Sequence, residues 1–199
     1  MRLKDCHSFT DFRELARRRL PSPIFNYIDG AADDESTYER NTKSFEDCDL
    51  VPNVLRGVQD IDMSVEILGK KLDMPIYCSP TALQRVFHHQ GENAVAAAAD
   101  KYGTLFGVSS LGTVSLADVR KRYPGPQCYQ FYFHKDRELN KVMLENAKNS
   151  NVDIMMLTVD TITGGNRERD LKTGFSIPVS YTHLRAHETL RYLVCRLLL

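Results

Sequence analysis

The sequence predicts an α/β protein, the N-terminal part of a TIM-type (β/α)8 barrel preceded by a lead-in of helices and a hairpin. Between Asp73 and Arg167, short apolar runs alternate with stretches of helical periodicity. Polar residues follow the apolar runs, and strands that alternate with helices of this length form parallel sheets with right-handed crossovers. About four such units are present, whereas a barrel of eight takes roughly 250 residues. We therefore expect a truncated barrel.

The bulk composition is that of an ordinary soluble protein, with 199 residues of which 42% are hydrophobic and 26% charged. The 26 basic and 26 acidic residues balance, which argues against nucleic acid or an anionic membrane surface as a partner. The five cysteines are scattered and form no C-x-x-C pair, so we expect free thiols in a reducing compartment and no thiolate metal site. We recognise no signal peptide and no membrane-spanning stretch.

Residues 1–72 are predicted to form the lead-in. Capping residues, helical spacing of apolar side chains and Gly-Lys between two short polar–apolar runs indicate its elements. In chain order these are a helix with a capping box of Ser8 and Asp11 that Pro21 ends, a helix beginning at Ser22-Pro23, a polar helix over Glu35–Phe45, and a hairpin with strands Ser64–Leu68 and Lys71–Met74.

Residues 73–178 are predicted to form the first half of the barrel. The entry strand, Pro75–Ser79, carries the apolar run Ile76, Tyr77 and Cys78 between two prolines, as a fully buried strand does, although so short a run also suits a buried helix. The later elements are predicted as helix Glu92–Lys101, strand Thr104–Val108, helix Ser115–Arg122, strand Cys128–Tyr132, a helix capped by Asp136, and strand Asp153–Thr158.

Polar residues cluster at the carboxyl ends of the predicted strands, where barrels of this kind build their active sites. Gln130 and Tyr132 are two residues apart on one strand and therefore point to the same side. The cluster has hydroxyls, one amide, one carboxylate and one guanidinium, a set that suits a flat heteroaromatic ring better than a metal ion. Its members are Pro80, Thr81, Ala82, Ser109, Ser110, Gln130, Tyr132, Thr158, Asp160 and Arg167.

Five stretches carry a specific resemblance to a known family. They are RRLPSPIFNYIDGAADDE, SPTALQRVFHHQGE, GVSSLGTVSLADV, YQFYFHKDR and LTVDTITGGNRERDLKTGF. In this order and spacing, the chain resembles the N-terminal half of the FMN-dependent 2-hydroxy-acid dehydrogenases and oxidases, which include L-lactate dehydrogenase, glycolate oxidase and mandelate dehydrogenase. The resemblance covers roughly Phe9 to Pro178. It implies FMN as the cofactor and, in the full-length protein, oxidation of an L-2-hydroxy acid to the 2-oxo acid.

The resemblance also implies which residues hold the cofactor. The backbone of one strand-end segment lies along the flavin, and three side chains bind its ring or ribityl chain. The backbone positions are Pro80, Thr81 and Ala82, and the side chains are those of Ser109, Gln130 and Thr158.

For the substrate, the resemblance implies contacts with Tyr27, Tyr132 and Arg167. A planar guanidinium binds a carboxylate through two parallel hydrogen bonds, which suits Arg167 as the anchor of the substrate carboxylate. Tyr132 and Asp160 match catalytic positions, and the Asp160 carboxylate would orient the catalytic histidine and stabilise its charged form. In the family that histidine, a second substrate arginine, a lysine near the flavin and the phosphate site come later, and nothing here matches them. We therefore expect the 199 residues as written to be inactive.

Residues 179–199 stand apart from the resemblance. Their leucines have the spacing of an amphipathic basic helix, but VSYTHLRAHETLRYLVCRLLL also resembles a translated sequencing adapter. We favour the second interpretation, a non-native tail.

The resemblance implies a cytoplasmic, homo-oligomeric full-length protein and leaves a peripheral membrane association open. Oxygen, a quinone or a cytochrome is compatible as electron acceptor. Two alternatives remain at this point: a non-catalytic truncated barrel, and a phosphate-binding barrel enzyme of another family, which would not explain Tyr27 or the arginine of NRERD. An unclosed barrel exposes strand edges, so we expect aggregation of the isolated chain.

Overall fold

A computed structural model describes residues 2–57, 59–159 and 164–175 of the chain. Close contacts divide the described residues into two compact units, a smaller one of residues up to 59 together with 164–175 and a larger one of residues 60–159. The predicted boundaries after residues 72 and 178 stay predictions, and the tail 179–199 lies outside the described residues. None of the helices in the described ranges combines the length and the apolar character that crossing a membrane requires.

The described elements follow the predicted alternation. A short 3-10 helix, Leu3–Asp5, precedes them. In chain order they are α1 (Phe9–Arg19), α2 (Ser22–Asp29), α3 (Ser36–Lys43), β1 (Val65–Ile67), β2 (Lys70–Leu72), α4 (Gln84–Phe87), α5 (Glu92–Lys101), β3 (Phe106–Ser109), α6 (Leu116–Arg122), β4 (Gln127–Tyr132), α7 (Arg137–Asn149), β5 (Ile154–Thr158) and α8 (Glu168–Thr173).

Helix starts were the most predictable local features. The Ser8 hydroxyl accepts a hydrogen bond from the Asp11 amide at 3.2 Å, and the Asp11 carboxylate accepts from the Ser8 amide at 2.9 Å, which confirms the predicted capping box. Ser115 and Asp136 cap α6 and α7 in the same way, each accepting from backbone amides of the first turn. The helices α4 and α8 were not predicted, and α3 is shorter than expected.

The larger unit contains a parallel sheet in the order β3-β4-β5, in which Ser109 pairs with Gln130 and Tyr132 pairs with Thr158. Because paired residues of neighbouring strands share a face, Ser109, Gln130, Tyr132 and Thr158 all lie on one face, at the carboxyl ends of their strands. The sequence predicted this parallel arrangement, and the strand bounds differ from the predicted ones by one or two residues.

The predicted entry strand is wrong in extent and in burial. Only Cys78 pairs with the sheet. Its amide donates a hydrogen bond to the Leu105 carbonyl at 3.0 Å, and its carbonyl accepts one from the Gly107 amide at 2.8 Å. Ile76 is 68% and Tyr77 41% exposed. Pro75 and Pro80 have no amide hydrogen to donate to a ladder, and of the residues between them only Cys78 pairs with a neighbouring strand.

The two faces of this sheet have different surroundings. Phe106 and Val108 face helices α5 and α6, where they pack with Ala96, Ala99 and Val119. On the other face, Cys128 packs with Leu72 and Leu105, and the β1–β2 hairpin adds Val65 and Ile67. We call the face that carries Cys128 the inner face. The hairpin covers this face near the amino ends of the strands and does not cover the polar carboxyl ends.

Candidate functional site

Gln130 is the centre of the polar cluster at the strand ends. It lies on β4 and is 4% exposed. Its Oε1 accepts hydrogen bonds from the Ser109 hydroxyl at 3.2 Å, the Ser110 amide at 3.3 Å and the Ser110 hydroxyl at 3.4 Å, and its Nε2 donates to the Thr158 hydroxyl at 2.7 Å. The structure thus brings together the three side chains predicted to bind the cofactor. Their role in binding stays a prediction.

The backbone segment predicted to lie along the flavin belongs to the same unit. Pro80 and Ala82 are half-buried and Thr81 is exposed. The segment approaches β3 at Gly107, where a Cβ on the glycine would lie 2.7 Å from Pro80 Cδ and 2.8 Å from Pro80 N. Only a residue without a side chain allows this approach. Gln84, which is buried, donates to the Thr81 carbonyl at 3.3 Å and so restrains its peptide plane.

Of the two residues predicted at catalytic positions, Tyr132 and Asp160, the structure describes only Tyr132. Tyr132 ends β4, half-buried, on the same face as Gln130. Asp160 lies outside the described residues, so its predicted role in orienting a histidine stays a prediction.

Tyr27 and Arg167 lie together in the smaller unit. The Arg167 guanidinium carbon is 5.0 Å from the centroid of the Tyr27 ring, which also stacks on Phe175 at 4.2 Å. Arg167 donates to the Asp170 carboxylate at 2.6 Å and to the carbonyls of Gly30 and Tyr27. The predicted anchor of the substrate carboxylate is therefore held by a carboxylate of its own unit in this conformation.

An ion-pair network supports this pair. Asp29, whose side chain is 8% exposed, accepts from Arg13 at 2.5 and 2.8 Å and from Arg169 at 3.0 Å. Arg169 also donates to Glu35 at 2.5 Å. The Arg13 hydrogen bond holds the pKa of Asp29 below its usual range, Arg169 acts in the same direction, and burial opposes both. The network joins α1, α2 and α8, and it was not predicted from the sequence.

The cysteines behave as structural thiols. Cys128 is fully buried, and burial raises the pKa of both Cys78 and Cys128, so these thiols are neutral. Within the described ranges, no three His, Cys, Asp or Glu side chains are grouped so that they could hold a metal ion.

One buried carboxylate was not predicted from the sequence. Glu92, the first residue of α5, has no exposed surface and accepts two hydrogen bonds from Thr113. The available signal was a glutamate directly after Gly91 at a helix start, which by itself indicates only a favourable charge at a helix N-terminus.

A sequence model described as FMN-dependent dehydrogenase matches residues 16–193 of the chain. Among curated proteins, the chain is 36% identical over 169 residues to glycolate oxidase 5 of Oryza sativa subsp. japonica, covering 85% of this chain and 46% of the relative. It is 38% identical over 169 residues to L-lactate dehydrogenase of Vibrio parahaemolyticus, covering 85% and 45%. The chain thus spans about half the length of the curated relatives it matches.

Solved structures agree with the sequence matches. The putative lactate oxidase of Pediococcus acidilactici superposes with a TM-score of 0.82 at 30% identity, covering 94% of this chain and 53% of that one. A mandelate oxidase crystallised with 3,3-difluoro-2-hydroxy-3-phenylpropionic acid gives a TM-score of 0.81 at 30% identity, covering 86% and 52%. These likenesses confirm the predicted fold class, and they leave the alternative of another barrel family without support.

Proposed function

The chain belongs to the family of FMN-dependent dehydrogenases, whose cofactor is FMN, and on this premise we propose that the whole protein oxidises an L-2-hydroxy acid to the 2-oxo acid. Lactate, glycolate and mandelate define the substrate class. The observation that carries the proposal is the cluster around Gln130, which collects Ser109 and Thr158 at the carboxyl ends of three adjacent parallel strands.

The residues of this cluster fit FMN by their chemistry. Hydroxyls both donate and accept hydrogen bonds, and an amide does so through two different atoms. A flavin ring presents donors and acceptors along one edge without a net positive charge, so neutral partners of both kinds suit it better than a set of carboxylates. The cluster around Gln130 contains no charged side chain among the described residues that bond to it. FMN, when bound, accepts the two electrons of the oxidation.

The chain's own side chains bind and orient the reactants. Ser109, Gln130 and Thr158 hold the cofactor edge, and the backbone at positions 80–82 lies along it. Arg167 takes the substrate carboxylate by two parallel hydrogen bonds, which requires it to exchange Asp170 for the substrate. The proposed roles of Tyr27 and of Tyr132 as partners of the substrate oxygens rest on the family resemblance.

A base must remove a proton from the substrate, and we infer that it comes from outside the described residues. Asp160 would orient that base and stabilise its charged form. None of the six histidines in the chain stands in the sequence context of the family's base. We propose accordingly that the 199 residues as written bind at most FMN and do not turn over substrate.

We propose that the whole protein is a cytoplasmic homo-oligomer, and fractionation would test whether it also associates peripherally with a membrane. The four described cysteines are free thiols, which suits a reducing compartment.

The test compares the whole protein and the 199-residue chain, each purified and supplied with FMN. L-lactate, glycolate and L-mandelate are offered with a dye as electron acceptor, and D-lactate serves as the control substrate. We expect the whole protein to reduce the dye with at least one L-substrate or glycolate, and the 199-residue chain to reduce none. A whole protein that binds FMN and oxidises none of the three would refute the proposed activity. Turnover by the 199-residue chain would refute its proposed inactivity.

A further inference from the structure

A buried carboxylate, Glu92, binds one of the two strand-end loops that carry the proposed FMN contacts, and a threonine of that loop connects it to the other. The first loop follows Cys78 and includes positions 80–82, and the second follows β3 and includes Ser109 and Ser110. Glu92, the first residue of α5, has no exposed surface and is bonded to the second loop. Its two carboxylate oxygens accept from the Thr113 amide at 2.7 Å and from the Thr113 hydroxyl at 2.6 Å.

The Thr113 hydroxyl has a second partner in α4, the short helix that directly follows the first loop. It accepts a hydrogen bond from the Arg85 amide at 3.1 Å while it donates to Glu92. Two positions away in each loop, the Leu83 amide donates to the Leu111 carbonyl at 3.1 Å. One side-chain hydroxyl therefore links the backbone of α4, which directly follows the first loop, to the start of α5, and its donor and acceptor functions are both used.

The surrounding backbone permits this junction only without a side chain at Gly91. Its φ is +52°, a region that glycine favours. A Cβ at this position would lie 2.7 Å from Arg85 Cγ and 3.3 Å from Thr113 Oγ1. Residues 85, 91, 92 and 113 thus form a close-packed junction in which small displacements are resisted.

The chemistry of the junction indicates a purpose beyond packing. A buried carboxylate is unfavourable unless its oxygens receive hydrogen bonds, and charge-assisted bonds are stronger and more directional than neutral ones. A neutral residue at the first position of α5 would serve helix formation without that cost. Directional bonds from both the backbone and the side chain of Thr113 fix the second loop on the start of α5, and the bond from the Arg85 amide ties the same hydroxyl to α4, which follows the first loop.

We propose that Glu92 and Thr113 are positioning residues of the FMN site, which set the spacing between the backbone at positions 80–82 and the hydroxyls of Ser109 and Ser110. They act through those groups and do not touch the cofactor themselves. This inference rests on the proposed function, because it requires FMN to lie against both loops.

The test uses the whole protein, stripped of FMN and titrated with it while quenching of flavin fluorescence is followed. Thr113→Val keeps the shape of the side chain and removes the hydroxyl, whereas Thr113→Ser keeps the hydroxyl. Thr42→Val is the matched control, because the Thr42 hydroxyl is exposed and donates to a carbonyl of its own helix. The bond acts on FMN binding through the fraction of molecules whose two loops have the binding arrangement, and where its full free energy holds that arrangement, its loss corresponds to about a 10- to 100-fold weaker Kd.

We expect that loss for Thr113→Val, together with a change in the visible absorption spectrum of the bound flavin. Thr113→Ser and Thr42→Val should keep the Kd within about threefold of the unsubstituted protein. Glu92→Gln provides a second variant of the same size and should also weaken binding, because an amide cannot accept both bonds from Thr113.

A folded Thr113→Val or Glu92→Gln protein that binds FMN with an unchanged Kd and spectrum would overturn the inference and leave the proposed function standing. Unfolding of both variants would also overturn it, since the pair would then serve the fold as a whole. Failure of the unsubstituted protein to bind FMN would instead overturn the proposed function, and this inference with it.

Discussion

Replacing Gly107 by alanine tests the close approach between β3 and the segment that carries Pro80. The added methyl carbon would lie 2.7 Å from Pro80 Cδ, 2.8 Å from Pro80 N and 3.2 Å from the Cys78 carbonyl oxygen. Carbon atoms pack favourably at about 3.5–4.0 Å, so the methyl is too close by about 0.8 Å. Its neighbours are backbone and ring atoms, which cannot turn away as a flexible side chain could.

The expected loss follows from these distances. Forcing extra carbon into a packed site costs about 1–3 kcal/mol, and the rigid neighbours place this site at the upper end. Alanine is favoured over glycine within a strand by about 0.5–1 kcal/mol, which offsets part of that cost. We therefore expect the free energy of unfolding of Gly107→Ala to fall by about 2 kcal/mol, or by about 4–8 °C in Tm for a domain of this size.

The assay is urea unfolding of the whole protein, because the isolated chain is expected to aggregate, and unfolding is followed by far-ultraviolet circular dichroism. Gly69→Ala is the control, because its added methyl meets no atom within 4 Å but its φ is +76°. That variant should lose only about 1 kcal/mol, from backbone strain. The reasoning would be refuted if Gly107→Ala were as stable as the unsubstituted chain, or more stable than Gly69→Ala.

Three further substitutions test the contacts described above. Asp153→Asn removes the ion pairs to Lys70 at 2.8 Å and Arg120 at 3.2 Å. Burial raises the pKa of Asp153, but Lys70, the Gln127 amide and Arg120 together hold it below its usual value. The stabilisation by the Asp153 ion pairs should therefore be complete at neutral pH and disappear as pH falls below the ordinary aspartate range. We expect unfolding by urea to show a loss of about 1–2 kcal/mol at pH 7 and none in strong acid, and a pH-independent difference would contradict this. Arg169→Met should destabilise the smaller unit by about 1–2 kcal/mol and speed its proteolysis, whereas exposed Lys172→Met should change neither; equal effects would count against the network. Gln130→Leu should weaken FMN binding by about 10- to 100-fold in titration, since it leaves three polar partners without their amide, and an unchanged Kd would exclude Gln130 from the site.

Periodicity and capping made the larger unit predictable. Asp136 caps α7 and Ser115 caps α6 because their oxygens bind amides only two or three residues away, so the signal is local. The parallel order of the strands also follows from local facts, because strands separated by helices cannot form hairpins. The prediction of a buried strand at Ile76 and Tyr77 is wrong, because an apolar run does not reveal whether neighbouring strands lie on both of its sides.

The residues of the candidate site that lie at the strand ends were predictable. Gln130 was recognised from its position on β4 and from the family resemblance, and the structure places Ser109 and Thr158 beside it. Glu92 and Thr113 are 21 residues apart, and each alone resembles an ordinary polar residue beside a glycine. Contacts that join separate loops have no local periodicity, so the sequence alone does not reveal them.

The hairpin has a consequence for access. Leu72, with 1% of its surface exposed, packs with Cys128 and Leu105 on the inner face of the sheet. The amino ends of the strands are therefore covered by protein on the face of the sheet that carries Gln130, whereas the hairpin leaves the carboxyl ends on that face uncovered. Substitutions in the hairpin should alter how firmly the strands hold together, whereas the choice of which molecule enters belongs to the loops that follow the strands.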